Sequence, residues 1–429
     1  ASRLHREGRG FESLSAHQVF LTNVVSFLFL VRLSIIKVMY KCFIKPVLFL
    51  LSPDATHKLI IFCGRVAQSL PPTRWFIRKM WSFQDKSLQQ EIDGVNFCNP
   101  IGLSAGFDKN IQLSPLMEDV GFGFASGGSV TLEPRKGNLR PWFHRLPKTK
   151  SVVVYAGMPN YGLEKISNYV KANQTKIQSM PTVISVAVIA NKSTKDKLGP
   201  KVPEEYIVKD VKKAVNYIID NNLASIVEIN ISCPNAGKEP FIYPESLEIL
   251  LKEIDAIDRN IPFWIKMPHL YDINQFDSLL KVIVKHNIQG VTIANLVKDR
   301  TKVEIKDPLT DEIRGGLSGE PTRKHSLELI RYAYKNYGNK LTIVGVGGIF
   351  SAEDAYAKIK AGASLVGLIT GLFFEGPQLV GRANSELVKL LKNDGFSSIS
   401  EAVGADFNKK PKKLKKLLKN SCKTTTAAV

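Results

Sequence analysis

Residues 341–371 read LTIVGVGGIFSAEDAYAKIKAGASLVGLITG and hold one complete folding unit. An apolar run (341–346) meets a glycine pair. A helical stretch follows (352–361), and a second apolar run (365–370) ends in Thr370-Gly371. A run that is apolar at nearly every position suits a parallel strand covered on both faces, whereas a strand wet on one face alternates. The same pattern recurs toward the N-terminus. Apolar β-rich runs at 101–105, 122–127, 183–188, 226–231, 263–267 and 290–295 bring the number to eight. Helical stretches at 205–221, 244–257, 275–286 and 322–336 separate many of them. Eight strand-then-helix units predict an α/β fold, a (β/α)8 TIM barrel. The competing arrangement is a doubly wound open sheet, weakened because no GxGxxG follows an early strand. One extra β-like run, 152–156, lies between the second and third strands and is expected to fold over the barrel mouth.

The composition agrees with a globular chain. Of 429 residues, 44% are hydrophobic and 23% charged, which excludes a wholly disordered or collagen-like protein. Five cysteines (42, 63, 98, 233, 422) are scattered with no CxxC pair, arguing against a disulfide framework or a Cys-based zinc site and for a reducing compartment. The net charge of +20 sits largely at the ends: residues 409–423 hold eight Lys and no acid. A basic tail is a weaker sign of nucleic acid than a basic body, so no nucleic-acid partner is expected. The tail is either a lure for anionic surfaces or a solvated terminus.

At the front, the apolar stretches 19–31 and 43–51 both fall short of the ~20 residues a spanning helix needs. No small-residue cleavage site follows them cleanly, so a signal peptide fits poorly. Residues 39–70 predict two short amphipathic helices punctuated by Pro53, with Asp54 or Thr56 as cap of the second. Apolar faces edged by Lys and Arg suit a helix lying in a membrane interface, or equally a helical hairpin packed on its own domain. The segment REGRGFESLSAH (6–17) looks like out-of-frame translation of the end of a tRNA gene, so the native start is expected at Met39. The expected organisation is therefore a leader (1–38), a helical microdomain (39–85), the barrel (86–406) and a Lys-rich tail (407–429).

In a barrel of this kind chemistry gathers at the C-terminal ends of the strands. Glycines cluster there at 345, 347 and 348, at 371, and at 315, 316 and 319. Their backbone N–H groups can approach a phosphate closely, although glycine also serves tight turns. Cys233, in NISCPN (230–235), is either a core filler or a loop thiol able to act as base or nucleophile. Lys266, inside an apolar strand, needs an anionic partner if it points inward. Lys109, taken alone, reads as a solvated loop residue.

The segments NPIGLSAGFDKN (99–110), GSVT (128–131), GNLRP (137–141), NISCPN (230–235), IKMP (265–268), GGLSG (315–319), IVGVGGI (343–349) and AGASLV (361–366) resemble dihydroorotate dehydrogenase in order and spacing. The likeness runs from about Met39 to Asp406. The front helices and the ending GFSSISEAVGAD (395–406) resemble the membrane-associated, quinone-dependent class. The resemblance implies an FMN-binding barrel that oxidises dihydroorotate to orotate in pyrimidine synthesis and passes electrons to a quinone. It implies a peripheral membrane location, the cytoplasmic face of a bacterial inner membrane before a mitochondrial one. By the same resemblance Ala105, Gly106, Lys109, Ser129, Asn230, Lys266, Gly319, Gly347, Gly348, Thr370 and Gly371 contact FMN. Lys109, Gly157, Met158, Asn230, Asn235 and Asn295 meet the substrate. Cys233 stands at the base position, where it would take the C5 proton as hydride leaves C6 for flavin N5. Lys266 would stabilise the reduced flavin near N1/O2. His57 and Arg145 would line the quinone path, and no metal is implied.

Four positions depart from the quinone-class pattern. Cys233 stands where that class has Ser, as in the soluble class that uses fumarate or NAD. Val154 stands for a pyrimidine-binding Asn, Ala187 for a flavin-facing Asn and Ala294 for a Thr. A member of the same family with another acceptor or another dihydropyrimidine is the alternative, and an inactive FMN-binding barrel a further one.

Overall fold

The structure, a computed structural model, describes residues 31–232 and 240–407. Residues 1–30 of the expected leader, nearly all of the Lys-rich tail, and both Cys233 and Asn235 lie outside the described residues.

The apolar runs form eight parallel strands, β1 Ile101–Leu103, β2 Phe124–Val130, β3 Thr182–Ala187, β4 Ile226–Asn230, β5 Phe263–Lys266, β6 Gly290–Ile293, β7 Thr342–Val346 and β8 Leu365–Leu368. They close into one barrel in chain order, with β8 paired to β1. Every residue of β3, β4, β5 and β6 is buried, as two covered faces require. Helices Glu204–Asp220, Pro244–Asp255, Ile273–Ile283, Arg323–Tyr337 and Ala352–Lys360 occupy the expected crossovers within one to three residues. β2 runs further than its apolar core suggests, through Gly128 and Ser129, with a register irregularity between Gly128 and Val130. Glycine-rich sequence hides a strand from a hydrophobicity reading.

A two-stranded hairpin, Gln90–Ile92 with Val95–Phe97, plugs the barrel floor. Its turn is Asp93-Gly94, both at positive φ (52° and 76°), the Asp-Gly signature of a two-residue hairpin turn. The Asp93 carboxylate accepts from Trp264 Nε1 and Thr342 Oγ1, both at 2.9 Å. Phe97 meets Phe124 edge-on, their centroids 5.8 Å apart. Phe124 fits because β1 offers Gly102 opposite, where a Cβ would lie 2.1 Å from its ring.

Three strands form a sheet outside the barrel: Phe143–Leu146, Ser151–Val154 and Gly316–Leu317. The extra run near 152 thus becomes the middle strand of this sheet. Gly316 and Leu317, read from sequence as part of the phosphate corner, pair with it instead.

The front is helical from residue 31 to Leu50, with a π-helical turn Tyr40–Ile44 ahead of Pro46. Pro46 has no N–H to donate, and the Lys45 N–H reaches back to the Tyr40 carbonyl. Two further helices follow, α1 Pro53–Ser69 and α2 Pro71–Trp81. Ser52, not Asp54 or Thr56, caps α1: its hydroxyl accepts from the Ala55 N–H at 3.2 Å, with Pro53 at the first helical position. Asp54 instead pairs with Arg140 at 2.8 Å and accepts from the Trp142 N–H at 3.1 Å. α2 is fixed by Asp119, which is wholly buried and held by Arg74 and Arg78, each at 2.5 Å. The first helix is tied down by Glu375, which takes Lys41 at 2.9 Å and Lys37 at 3.4 Å.

Candidate active site

Every described residue that the family likeness assigns to FMN, substrate or quinone lines a single cleft of about 1710 Å³, open mouth included, between the C-terminal strand ends and the front helices, whereas Gly315, Gly316 and Gly345 do not line it. Val154 and Ala294 line it too, whereas Ala187 does not.

β4, β5 and β6 carry its polar centre. In the register, Asn230 pairs with Lys266 and Lys266 with Thr292, so the three side chains turn inward from neighbouring strands. Lys266 is 6% exposed. Asn230 Nδ2 donates to Ser129 Oγ at 2.8 Å, and Ser129 and Ser185 share a hydroxyl contact at 3.0 Å. Asn295 Nδ2 donates to Ser232 Oγ at 3.0 Å and also to the Ser232 carbonyl. The amides of Asn230 and Asn295 thus converge next to the strand end that leads into Cys233.

The turn after β1 supplies Ala105, Gly106 and Lys109. Gly106 adopts φ 121°, which a side chain would strain. That turn is locked by Asp108, buried, whose carboxylate accepts from the N–H groups of Gln112 and Leu113 at 2.9 and 2.7 Å. Lys109 folds back so that Nζ donates to the Gly106 carbonyl at 2.7 Å and lies 4.8 Å over the Phe143 ring. Burial brings its pKa down to about 8, against the raising pull of Asp108 and Asp54. Opposite it, Met158 stands at φ 58° beside Gly157 at 67°. Arg135 Nε donates to the Gly157 carbonyl at 2.8 Å and Asn160 Nδ2 to that of Met158 at 3.1 Å, bonds that hold this unusual backbone.

The far corner is built of backbone. A Cβ at Gly347 would lie 2.5 Å from Thr322 Oγ1, at Gly348 2.4 Å from Arg323, at Gly319 2.4 Å from the Lys150 carbonyl and at Gly371 2.2 Å from the Ile349 carbonyl. No side chain fits at any of the four. Arg323 Nε donates to the Gly348 carbonyl at 2.8 Å and Thr322 Oγ1 to that of Gly319 at 2.7 Å, so the loops are pinned from behind. Thr370 and Gly371 open the helix Thr370–Glu375, whose first N–H groups have no partner within the helix. Ser104 adds a buried hydroxyl with no hydrogen-bond partner among the described residues.

The opposite end of the cleft is apolar. His57 on α1 is packed between Phe107 and Phe143, 5.6 and 5.5 Å away. Its Nε2 lies 2.7 Å from the Phe107 carbonyl, which can only accept, so Nε2 carries the proton. Burial first, and Lys109 second, push its pKa down to about 3, so the ring is neutral. Arg145 reaches the turn between the first helix and α1. It donates to the carbonyls of Phe49, Leu48 and Leu51 at 3.0, 3.1 and 2.9 Å and to Thr56 Oγ1 at 2.8 Å. Arg145 thus lines the cleft while its two terminal nitrogens hold this turn.

Sequence reasoning missed Ser104, Ser185, Thr292 and Glu228. Nothing marks a lone Ser or Thr in a strand, and Glu228 acquires meaning only from its neighbour across β5.

Amides, a buried cation and bare glycine backbone brought to the same mouth by different strands define a (β/α)8 barrel enzyme. The family model described as dihydroorotate dehydrogenase matches residues 87–391. The protein of Deinococcus deserti called dihydroorotate dehydrogenase (quinone) is 32% identical over 382 residues, covering 86% of this chain and all of its own. The protein of that name from Halobacterium salinarum is 33% identical over 370 residues, 85% of this chain and 99% of its own. The dihydroorotate dehydrogenase of Eimeria tenella has a similar fold. Solved with ferulenol, it has a TM-score of 0.68 at 23% identity, covering 83% of this chain and 96% of that one. Its ligand-free form gives 0.71 at 21% identity, covering 83% and 100%. This chain belongs to the dihydroorotate dehydrogenase family.

Proposed function

We propose that the protein oxidises dihydroorotate to orotate in pyrimidine synthesis, with FMN in the barrel mouth and a quinone as electron acceptor. The observation that carries this is the continuity of the cleft: one space runs from the amides of Asn230 and Asn295, past Lys266, to the apolar wall at His57 and Phe107. The residues present suit FMN. Four glycines that admit no Cβ make a corner for its phosphate, and the unpartnered Ser104 hydroxyl is free for a ligand atom. FMN, when bound, supplies the hydride acceptor and a carrier that can hand electrons on.

The chain's own residues do the rest. Asn230 and Asn295 offer amide donors and acceptors for a pyrimidine edge, with Asn235 proposed as a third. Lys109 lines the same cleft and is proposed to bind an anionic substrate. Cys233 is proposed as the base that removes the C5 proton, its thiol nearer neutral pH than a Ser hydroxyl. Lys266 fixes positive charge where negative charge grows. At the other end, neutral His57 and the aromatic wall exclude water and suit a quinone ring.

The front helices support a peripheral membrane location. Phe43, Leu50, Phe62 and Trp75 are 68, 87, 64 and 67% exposed, beside Lys and Arg, and no helix among the described residues is long and apolar enough to cross a membrane. The face proposed is the cytoplasmic one of a bacterial inner membrane.

Anaerobic mixing of purified protein with dihydroorotate tests the reading. Bleaching of the flavin absorbance is expected. A yellow protein that does not bleach would reject this substrate and point to another dihydropyrimidine, with Val154 and Ala294 as its marks. Turnover with menadione rather than fumarate checks the acceptor.

A further inference from the structure

The middle of this barrel is polar where branched apolar side chains usually fill such interiors. Ser126, Ser185, Glu228 and Thr292 are all buried there, above the floor of Phe97, Phe124 and Trp264. Glu228 is the one whose presence costs most, because an isolated buried carboxylate is strongly disfavoured. β4 turns Glu228 and Asn230 to the same side, inward, with Glu228 one layer deeper. Among the described residues its carboxylate is hydrogen-bonded at one oxygen: Thr292 Oγ1 donates to Oε2 at 2.7 Å. Oε1 has no hydrogen bond among the described residues. It faces Lys266 Nζ at 4.0 Å, with Glu228 3% and Lys266 8% exposed in their side chains. That distance is contact between charges without a direct hydrogen bond, so Glu228 takes none of the ammonium's three N–H donors.

We propose that Glu228 is a positioning residue that holds Lys266 from below and offsets part of its charge, thereby setting the reduction potential of the flavin in the mouth. The inference rests on the FMN reading above. A cation beside a ring that gains negative charge on reduction favours the reduced form. A carboxylate about 4 Å behind that cation, in a dry interior, opposes it. Glu228 therefore keeps the bound flavin a weaker oxidant than Lys266 alone would make it, which helps electrons leave for the acceptor. Thr292 fixes the carboxylate so that its bare oxygen faces the lysine.

The test is a spectroelectrochemical titration of the FMN-loaded enzyme. Glu228→Gln keeps the shape and removes the charge. Its reduction equilibrium is expected to shift at least tenfold toward the reduced flavin, which is about 30 mV more positive for a two-electron couple. Glu228→Asp, whose carboxylate sits one methylene lower, is expected to shift the same way by less. If Glu228→Gln does not fold with flavin, Glu228→Asp decides alone. A potential equal to or below that of the unaltered protein, in whichever variant is measurable, overturns the proposal. Failure of the underlying reading shows differently: unaltered protein that neither carries FMN as isolated nor takes it up would reject the cofactor before any variant is compared.

Discussion

The two ends of the cleft are held by opposite means. At the barrel end, Ser129, Asn230 and Lys266 project from strands and Lys109 and Asn295 from the turns that follow them, and the polar atoms bond one another: Asn230 to Ser129, Ser129 to Ser185, Asn295 to Ser232. At the front end, the wall is helical and much of its apolar surface faces outward; Ile60, Ile61, Ala67 and Ile77 pack on the barrel core, and a few polar points add to that contact. Those points are Asp119 with two arginines, Asp54 with Arg140, Glu375 with Lys41, and Arg145 on the turn carbonyls. Geometry at the first end is set by the core. At the second, a narrower apolar contact is supplemented by a handful of bonds that single substitutions can remove.

Substitutions at each end therefore separate chemistry from attachment. Lys266→Ala should have the largest effect, slowing flavin reduction by dihydroorotate about 10²–10³-fold, as loss of one fixed electrostatic donor does. Stopped-flow absorbance measures it, and a rate within a few-fold of normal would remove Lys266 from the chemistry. Asp119→Ala leaves Arg74 and Arg78 without their buried carboxylate and should cost about 3 kcal/mol in thermal or urea unfolding. It should depress quinone turnover more than flavin reduction, and equal losses in both would break the contrast between the ends.

His57 gives a pH-dependent version of the same contrast. Its pKa is about 3 in the folded protein against an ordinary value near 6.5, so the fold favours the neutral ring. That stabilisation is complete above about pH 6.5 and is lost as pH falls toward 3. Relative to His57→Gln, which keeps an N–H for the Phe107 carbonyl, the unaltered protein should lose about 2 kcal/mol between pH 6.5 and pH 5. Parallel stability curves for the two proteins would count against it. The smallest effect expected is at the outer face: Phe62→Ser with Trp75→Ser should weaken sedimentation with anionic lipid vesicles roughly tenfold, about 1.4 kcal/mol, and leave flavin reduction unchanged.

The barrel was legible because buried parallel strands read as unbroken apolar runs, and its mouth because glycines cluster where strands β7 and β8 end. The residues carried over from family likeness gather in one cleft as far as the described chain extends. What stayed hidden has physical causes. Thr56 looks like a helix cap, yet its hydroxyl serves Arg145, 89 residues away in sequence. Arg145 itself binds carbonyls, which leave no mark on the sequence. Glu228 reads as a stray acid in an apolar run until the β4–β5 register sets it under Lys266.

Arg145 carries one more consequence. A single guanidinium grips three carbonyls and a hydroxyl around the bend between the first helix and α1. None of these four contacts can be released while the others stay in geometry, because one rigid planar group makes them all. The bend should therefore open as one cooperative unit rather than fray residue by residue, and the amides from Leu48 to Thr56, Pro53 having none, should exchange their hydrogens at a common rate set by that single event.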